Sequence, residues 1–273
     1  MTSLHEALAI AASFLLLAAM FTPLERAFPA RSGQRILRPH VLVDGCFFLG
    51  QYLVFAGIAT RALDGVHAGV ARLVPLGVAT FAARAPVLAV GLASIVLGDV
   101  AMYWFHRASH RFDFLWRFHA VHHTSEHLDW VAAHREHPVD GVLTQIVMNL
   151  PAMILGLPYE AVGALIVLRG VWAVFIHSNV ALDVGPLRWI LGAPELHHWH
   201  HAKVRSTEHN FANLAPWLDR LFGTYHRPTG RETWALGIDE SHPRDWARLL
   251  VWPLLPKPRD ASLSPALDRS SPA

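Results

Sequence analysis

Apolar residues along this chain gather into long runs. Five of them approach the roughly 20 residues that a helix needs to cross a bilayer: about residues 8–24, 41–60, 86–104, 141–157 and 161–176. The first lacks a positively charged leader, so it reads as a retained span rather than a cleaved signal peptide. The third feeds straight into His106. Leu157-Pro158 separates the last two, which predict either a hairpin of spans or two shorter re-entrant helices. Residues 62–85 carry spaced apolar positions and no strong charge, which predicts an interfacial helix. From Pro253 onward the chain is rich in Pro, Ser and Asp and predicts a disordered tail. The expected fold is all-α, a polytopic membrane helical bundle of about four to five spans or re-entrant helices.

Arginine placement orients the bundle. Arg26, Arg31, Arg35 and Arg38 follow the first run, and Arg107, Arg111, Arg117 and Arg135 follow the third. The segment between the second and third runs, with Arg61, Arg72 and Arg84, is less basic. The N-terminus is therefore expected outside and the segments after the first and third runs in the cytoplasm.

Composition agrees with a membrane setting. Only 16% of the 273 residues are charged, against about 25% in a typical soluble domain, and the mean hydropathy is +0.30. A net charge of +2 gives no basis for nucleic-acid binding. Trp104, Trp116, Trp130, Trp172, Trp199 and Trp217 flank apolar segments as interface anchors. The one cysteine, Cys46, excludes a disulfide within the chain and any cysteine-based zinc or iron–sulfur site.

The candidate chemistry lies in the histidines, of which there are 19. One cluster reads His106-x3-His110 and then His119-x2-His122-His123; a second reads His197-x2-His200-His201. Residues three or four apart share a helix face, so each cluster aims several imidazoles at one point. Imidazole is the commonest side-chain metal ligand and suits iron, zinc, copper and nickel. Eight imidazoles exceed the four ligands of one tetrahedral zinc. His177, at the end of the fifth run, is delivered to the same membrane face, and it joins the expected ligand set together with His137. His127, His134, His198 and His209 are weaker candidates; His5, His40, His67, His226 and His242 have no metal-like neighbours. Asp99, Tyr103, His106 and His110 form one stripe at helical spacing. A carboxylate at the apolar end of that stripe needs a partner, and an imidazole N–H is the expected one, holding the ring from behind.

The ordered series H-x3-H, H-x2-H-H and a late H-x2-H-H resembles the sterol desaturase and fatty acid hydroxylase superfamily of membrane di-iron enzymes. The surrounding text is similar to it too: Asp99 ahead of Tyr-Trp-x-His-Arg, His122-His123-Thr-Ser-Glu126, Arg135-x-His137-Pro138, His177-Ser-Asn179 and Asp219-Arg-Leu-Phe-Gly-Thr224. The resemblance covers about residues 90–226. It implies ligands at His106, His110, His119, His122, His123, His197, His200 and His201, with Asn179 beside Asp99 as a supporting residue. It implies two iron ions, with zinc able to replace them on overexpression, O2 as co-substrate, and oxidation of a lipid C–H bond. Ala181, four residues after His177, departs from the second H-x3-H of fatty acid 2-hydroxylases. His177-Ser-Asn179 looks more like the sterol desaturase branch. Trp217-Leu218-Asp219 is a second departure, since the family often has Trp directly before Asp.

The expected organisation is residues 1–85 as N-terminal spans and interfacial segment, 86–226 as the catalytic domain, and 227–273 as a C-terminal extension. No G-x-G-x-x-G is present for a nicotinamide or flavin. Electrons must then come from a separate ferredoxin, cytochrome b5-like protein or reductase. The leading reading is an O2-dependent hydroxylase or desaturase acting on a sterol, fatty acyl chain, carotenoid or ether lipid. A divalent-metal transporter or binder, and a b-type haem protein, are the alternatives. Transport favours ionisable residues in mid-membrane, and two axial histidines would leave most of the clusters unexplained.

Overall fold

The computed structural model describes residues 4–156, 159–182, 185–204 and 208–256. Among them the chain is helical, with two isolated antiparallel bridges, Pro29 with Val180 and Ala202 with Leu236. The first run forms α1 (Leu4–Ala27). The second forms α2 (Val41–Gly50), which passes through one π turn (Gln51–Phe55) into α3 (Ala56–Leu73) and makes a single apolar helix of 33 residues. The third forms α5 (Val87–Arg111). These three helices are long and apolar enough to cross a membrane. The last two runs form α7 (Pro138–Ile154) and α8 (Tyr159–His177). With 17 residues in α7 and an apolar stretch of Gly163–His177 in α8, both lie at the short end for a crossing.

The expected interfacial segment is split. Residues 62–73 prolong α3, and Val74 then turns extended, with φ −67° and ψ 123°. Pro75 forces that change, because its ring disfavours helical backbone in the residue before it, and α4 (Leu76–Arg84) starts afresh beyond it. At the other end of the chain, α11 (Trp246–Val251) and a turn of 3-10 helix (Trp252–Leu254) dock on the body, with Leu249 and Pro253 buried. Structure therefore continues just past Pro253, where the disordered tail was expected to begin, because Leu249, Leu250 and Trp252 ahead of it find partners in Phe47 and Val121. The rest of that expected tail, from residue 257, lies outside the described residues.

The bundle is built around α7, which packs against α5 and α3, while α8 packs on α7. Arg169 of α8 fastens this layer. Its guanidinium donates to the carbonyls of Ser94 and Ile95 in α5, at 3.0 and 2.9 Å, and of Met148 in α7, at 2.9 Å. Gly98 makes the room, since a Cβ there would collide with the guanidinium. A buried charge inside an apolar layer is tolerated only with such partners.

Two polar clamps tie the N-terminal helices to the remainder. The Glu25 carboxylate, at the end of α1, accepts from the backbone N–H of Trp130 at 2.8 Å and of Asn179 at 3.0 Å. Asp44, in the first turn of α2, bridges two buried arginines, with Arg38 Nη2 at 2.7 Å and Arg135 Nε at 2.6 Å, and Arg38 also holds Asp129.

Candidate metal centre

Four helix ends converge on one point. The last two turns of α5 present His106 and His110. Phe112 is extended, with φ −107° and ψ 119°, and turns the chain into α6 (Asp113–His123), which returns His119, His122 and His123. α8 ends on His177. Pro194 occupies the first turn of α9 (Pro194–His200), where its missing N–H costs nothing, and that short helix brings His197, His200 and the following His201.

Nine of the ten expected ligands fall into two groups: five in one (His106, His110, His119, His123 and His200) and four in the other (His122, His177, His197 and His201). Within each group the ring nitrogens lie within 4.8 Å of one another. The groups adjoin, since the His123 and His201 rings stack with centroids 4.3 Å apart. His200 and His201 expose no surface at all.

The hydrogen bonds fix which nitrogen of each ring is free. His106 Nδ1 lies 2.7 Å from the Phe211 carbonyl, His122 Nδ1 2.9 Å from that of Arg135, His177 Nδ1 2.6 Å from that of Ala173, and His200 Nδ1 2.8 Å from that of His209. His119 Nδ1 lies 2.8 Å from Asp140 Oδ2. Carbonyls and carboxylates only accept, so in each ring Nδ1 carries the proton and Nε2 keeps its lone pair. Those lone pairs point inward. His177 Nε2 sits 3.0 Å from His122 Nε2 and 2.9 Å from His197 Nε2. The buried Nε2 atoms of His106, His110 and His200 meet no polar partner among the described residues. Facing lone pairs at these distances repel unless a cation lies between them. The donor set thus fits metal ions held by imidazole nitrogens, with carbonyls and a carboxylate gripping the rings from behind.

Electrostatics keep the rings in the ligating form. Burial, reinforced by the neighbouring His119, pushes His122 down to about 4, against the Arg135 carbonyl that raises it. Burial pushes His200 down to about 3. His123, His197 and His201 fall well below the ordinary value, through burial first and then through surrounding imidazoles.

Three expected site residues stand elsewhere. His137 caps α7: its Nδ1 accepts from the Val139 N–H at 3.2 Å and its Nε2 faces the Leu250 carbonyl at 3.1 Å, so neither nitrogen turns to the metal groups. Asp99 does not hold an imidazole. It faces Arg169 and the backbone N–H of Ala215, and its Oδ2 meets no partner among the described residues. A helix points residues 99 and 106 along the same stripe but about two turns apart, some 10 Å of rise, and the Phe211 carbonyl takes the His106 N–H instead. Asn179 exchanges hydrogen bonds with the backbone of Arg31, as acceptor at 2.8 Å and donor at 3.3 Å, and so ties down the loop after α1.

The residue that sequence reasoning missed is Asp140, the carboxylate on His119. Its signal was faint: an acid in the first turn of a helix usually serves the helix dipole. Also missed was the loop 208–212, which supplies the His209 and Phe211 carbonyls. Asp219, at the third position of α10 (Trp217–Leu221), holds that loop by accepting from the N–H groups of Phe211 and Ala212 at 2.8 and 3.0 Å and from Thr224 Oγ1 at 2.8 Å. Of the weaker histidine candidates, His198 is bonded to Glu232 and to the Ser178 carbonyl, and His134 to Gln51.

Comparison with known proteins adds a family to this geometry. The fatty acid hydroxylase family model matches residues 91–224. The ornithine lipid hydroxylase OlsE of Rhizobium tropici is 32% identical over 170 residues, covering 60% of this chain and 50% of that protein. The alkylglycerol monooxygenase of Danio rerio is 31% identical over 128 residues, 46% of this chain and 28% of that one. The Delta(7)-sterol-C5(6)-desaturase of Nicotiana tabacum is 29% identical over 138 residues, 49% and 48% of the two chains. The chain thus spans half or less of the length of these relatives. No solved structure matches it significantly. Every histidine of both groups falls inside the matched segment, and residues 91–224 are accordingly a fatty acid hydroxylase domain, in the superfamily of lipid hydroxylases and sterol desaturases.

Proposed function

We propose that this chain is a multi-pass membrane oxygenase that uses two iron ions and O2 to hydroxylate or desaturate a lipid C–H bond. The observation that carries the reading is the pair of adjoining imidazole groups whose lone pairs converge at the ends of apolar helices. His106, His110, His119, His123 and His200 would hold one ion, and His122, His177, His197 and His201 the other. Bound iron would supply the redox centre for activating O2 against an unactivated C–H bond. The chain's own contribution is to hold nine rings together away from bulk water, five of them fixed in one tautomer by the acceptor on Nδ1.

Hydroxylation turns a C–H and O2, with two electrons and two protons, into an alcohol and water. Desaturation takes the same inputs and yields an alkene and two waters. The electrons come from a separate donor, a ferredoxin, a cytochrome b5-like protein or a reductase, and the arginine bias puts the histidines on the cytoplasmic side where such donors operate. Residues 86–226 would form the catalytic unit, with 1–85 as spans and 227–273 as an extension. The named activities of the relatives, on ornithine lipids, alkylglycerols and sterols, support a membrane lipid as the substrate.

The deciding experiment incubates membranes with labelled O2 and a reductase system, followed by lipid mass spectrometry. A hydroxyl oxygen derived from O2, or a loss of two hydrogens that requires O2, is expected. Product formed without O2 would overturn the oxygenase reading in favour of metal handling. Sidedness is read by Asp239→Cys in a Cys46→Ala background, since Asp239 is exposed. Its labelling by an impermeant thiol reagent is expected only after the cells are opened.

A further inference from the structure

The segment joining α8 to α9 lines two cavities of different character. On one side, Leu187 and Leu191 join Met20 and Phe21 of α1 and Trp172 and Phe175 of α8 around an apolar cavity of about 290 Å³. On the other, Pro186, Arg188 and Trp189 join Arg220, Tyr225 and Arg227 around a cavity of about 480 Å³. The second cavity is basic, and its arginines come from three separate stretches of chain. Glu195 meets Arg227 at its rim, at 3.2 Å between two well-exposed side chains.

Arg220 is the informative member. Its guanidinium is sandwiched between two rings, with Cζ 3.4 Å from the Trp189 centroid and 3.7 Å from that of Tyr225. Stacking fixes the plane of the group but does not use the N–H donors along its edge. The buried Nε–H of Arg220 and the buried hydroxyl of Tyr225 both meet no polar partner among the described residues. Burying a donor without an acceptor costs free energy, so the arrangement calls for an outside acceptor. A guanidinium held flat, with an Nε–H that meets no partner among the described residues and two further arginines lining the same cavity, suits the paired oxygens of a phosphate or carboxylate. A small free anion would need only this half. The apolar cavity across the same short segment offers a place for a hydrocarbon chain.

We propose that the cavity of Arg188, Arg220 and Arg227 binds the oxyanion headgroup of a membrane lipid whose chain lies along the apolar cavity lined by Leu187 and Leu191. The site occupies the stretch of chain between His177 and His197. It goes beyond the oxygenase reading and does not depend on it.

The test uses the full chain in a neutral detergent, titrated with dodecyl phosphate, dodecanoate, dodecanol and inorganic phosphate, with occupancy read by native mass spectrometry. Saturable binding of the two anionic amphiphiles is expected. It should weaken roughly tenfold or more in Arg220→Gln, the loss of one charge-assisted contact, while bound metal stays unchanged. Inorganic phosphate binding as tightly as dodecyl phosphate would overturn the lipid assignment. Dodecanol, which has the chain and no oxyanion, binding as tightly as dodecyl phosphate, or full binding in Arg220→Gln, would overturn the site. Should Arg220→Gln fail to fold, Arg227→Gln at the exposed rim decides in its place: weaker binding supports the proposal and unchanged binding ends it. The readout is occupancy, so its failure is distinct from a failure of the oxygenase reading.

Discussion

His119 Nδ1 and Asp140 Oδ2 lie 2.8 Å apart across 21 positions of sequence, with both side chains buried. The carboxylate fixes the tautomer of a ring that sits against His106, His110 and His123. Removing such a partner typically costs about 10–100-fold in metal affinity or activity. Asp140→Asn should therefore weaken metal retention by roughly that factor, measured by chelator competition. Asp99→Asn, at a carboxylate that touches no imidazole, should retain metal as the wild type does.

The two groups also separate ligands from bystanders. His122→Ala and His200→Ala each remove a converging nitrogen and should lower bound metal and abolish lipid oxidation. His137→Ala should keep its metal and instead lose roughly 1 kcal/mol of stability through the missing helix cap. Elemental analysis of the three variants checks this. Metal lost equally from His137→Ala would mean that the described grouping is incomplete.

Asp44 has no exposed surface and neutralises both Arg38 and Arg135. Breaking a buried ion pair by removing one partner costs about 3–5 kcal/mol. Asp44→Ala should lower the thermal midpoint of the detergent-solubilised protein strongly. It should also loosen the metal, because the Arg135 carbonyl holds His122. A variant with unchanged midpoint and metal content would show that this network carries little.

Acid should destabilise the metal-free protein. Burial pushes His134 from 6.5 down to about 4. A histidine lowered in the folded state is protonated first in the unfolded one, so nothing is lost above the unfolded value. As pH falls below 6.5 stability declines, and the loss levels off once pH passes about 4. His122 and His200, lowered to about 4 and about 3, act in the same direction when no metal occupies them. Thermal midpoints of metal-free protein should fall from pH 7 toward pH 4, and less steeply in His134→Phe, which fills a site already edge-on to Phe48. Rising midpoints on acidification would contradict the argument.

The grouping of the histidines was legible in the sequence because helical spacing alone puts residues three and four apart on one face, and His106 with His110, or His197 with His200 and His201, obey it. What lies behind the rings was not. Four of the five Nδ1 partners identified here, excepting Asp140, are backbone carbonyls, and a carbonyl belongs to every residue type, so Phe211 or Ala173 carries no mark of its role. Asp99 misled for a related reason: a shared stripe says which way a side chain faces but not how far along the axis its partner sits. His137 misled because one residue type serves both as ligand and as helix cap. The long helices were visible as apolar runs, and the break at Pro75 was overlooked within a segment read as one.

The Glu25 clamp redraws the limits of the functional unit. Family similarity begins at residue 91, yet the Glu25 carboxylate grips the backbone at Trp130 and Asn179, inside that boundary. Asn179 follows His177 by two residues, so the grip lies next to a converging ring. Evolutionary relatedness and mechanical independence thus divide this chain at different places. A fragment cut to the borders of similarity would keep all nine grouped histidines and lose the strap that grips the chain at Trp130 and Asn179, and the smallest piece able to open and close as one cooperative body begins in the first helix.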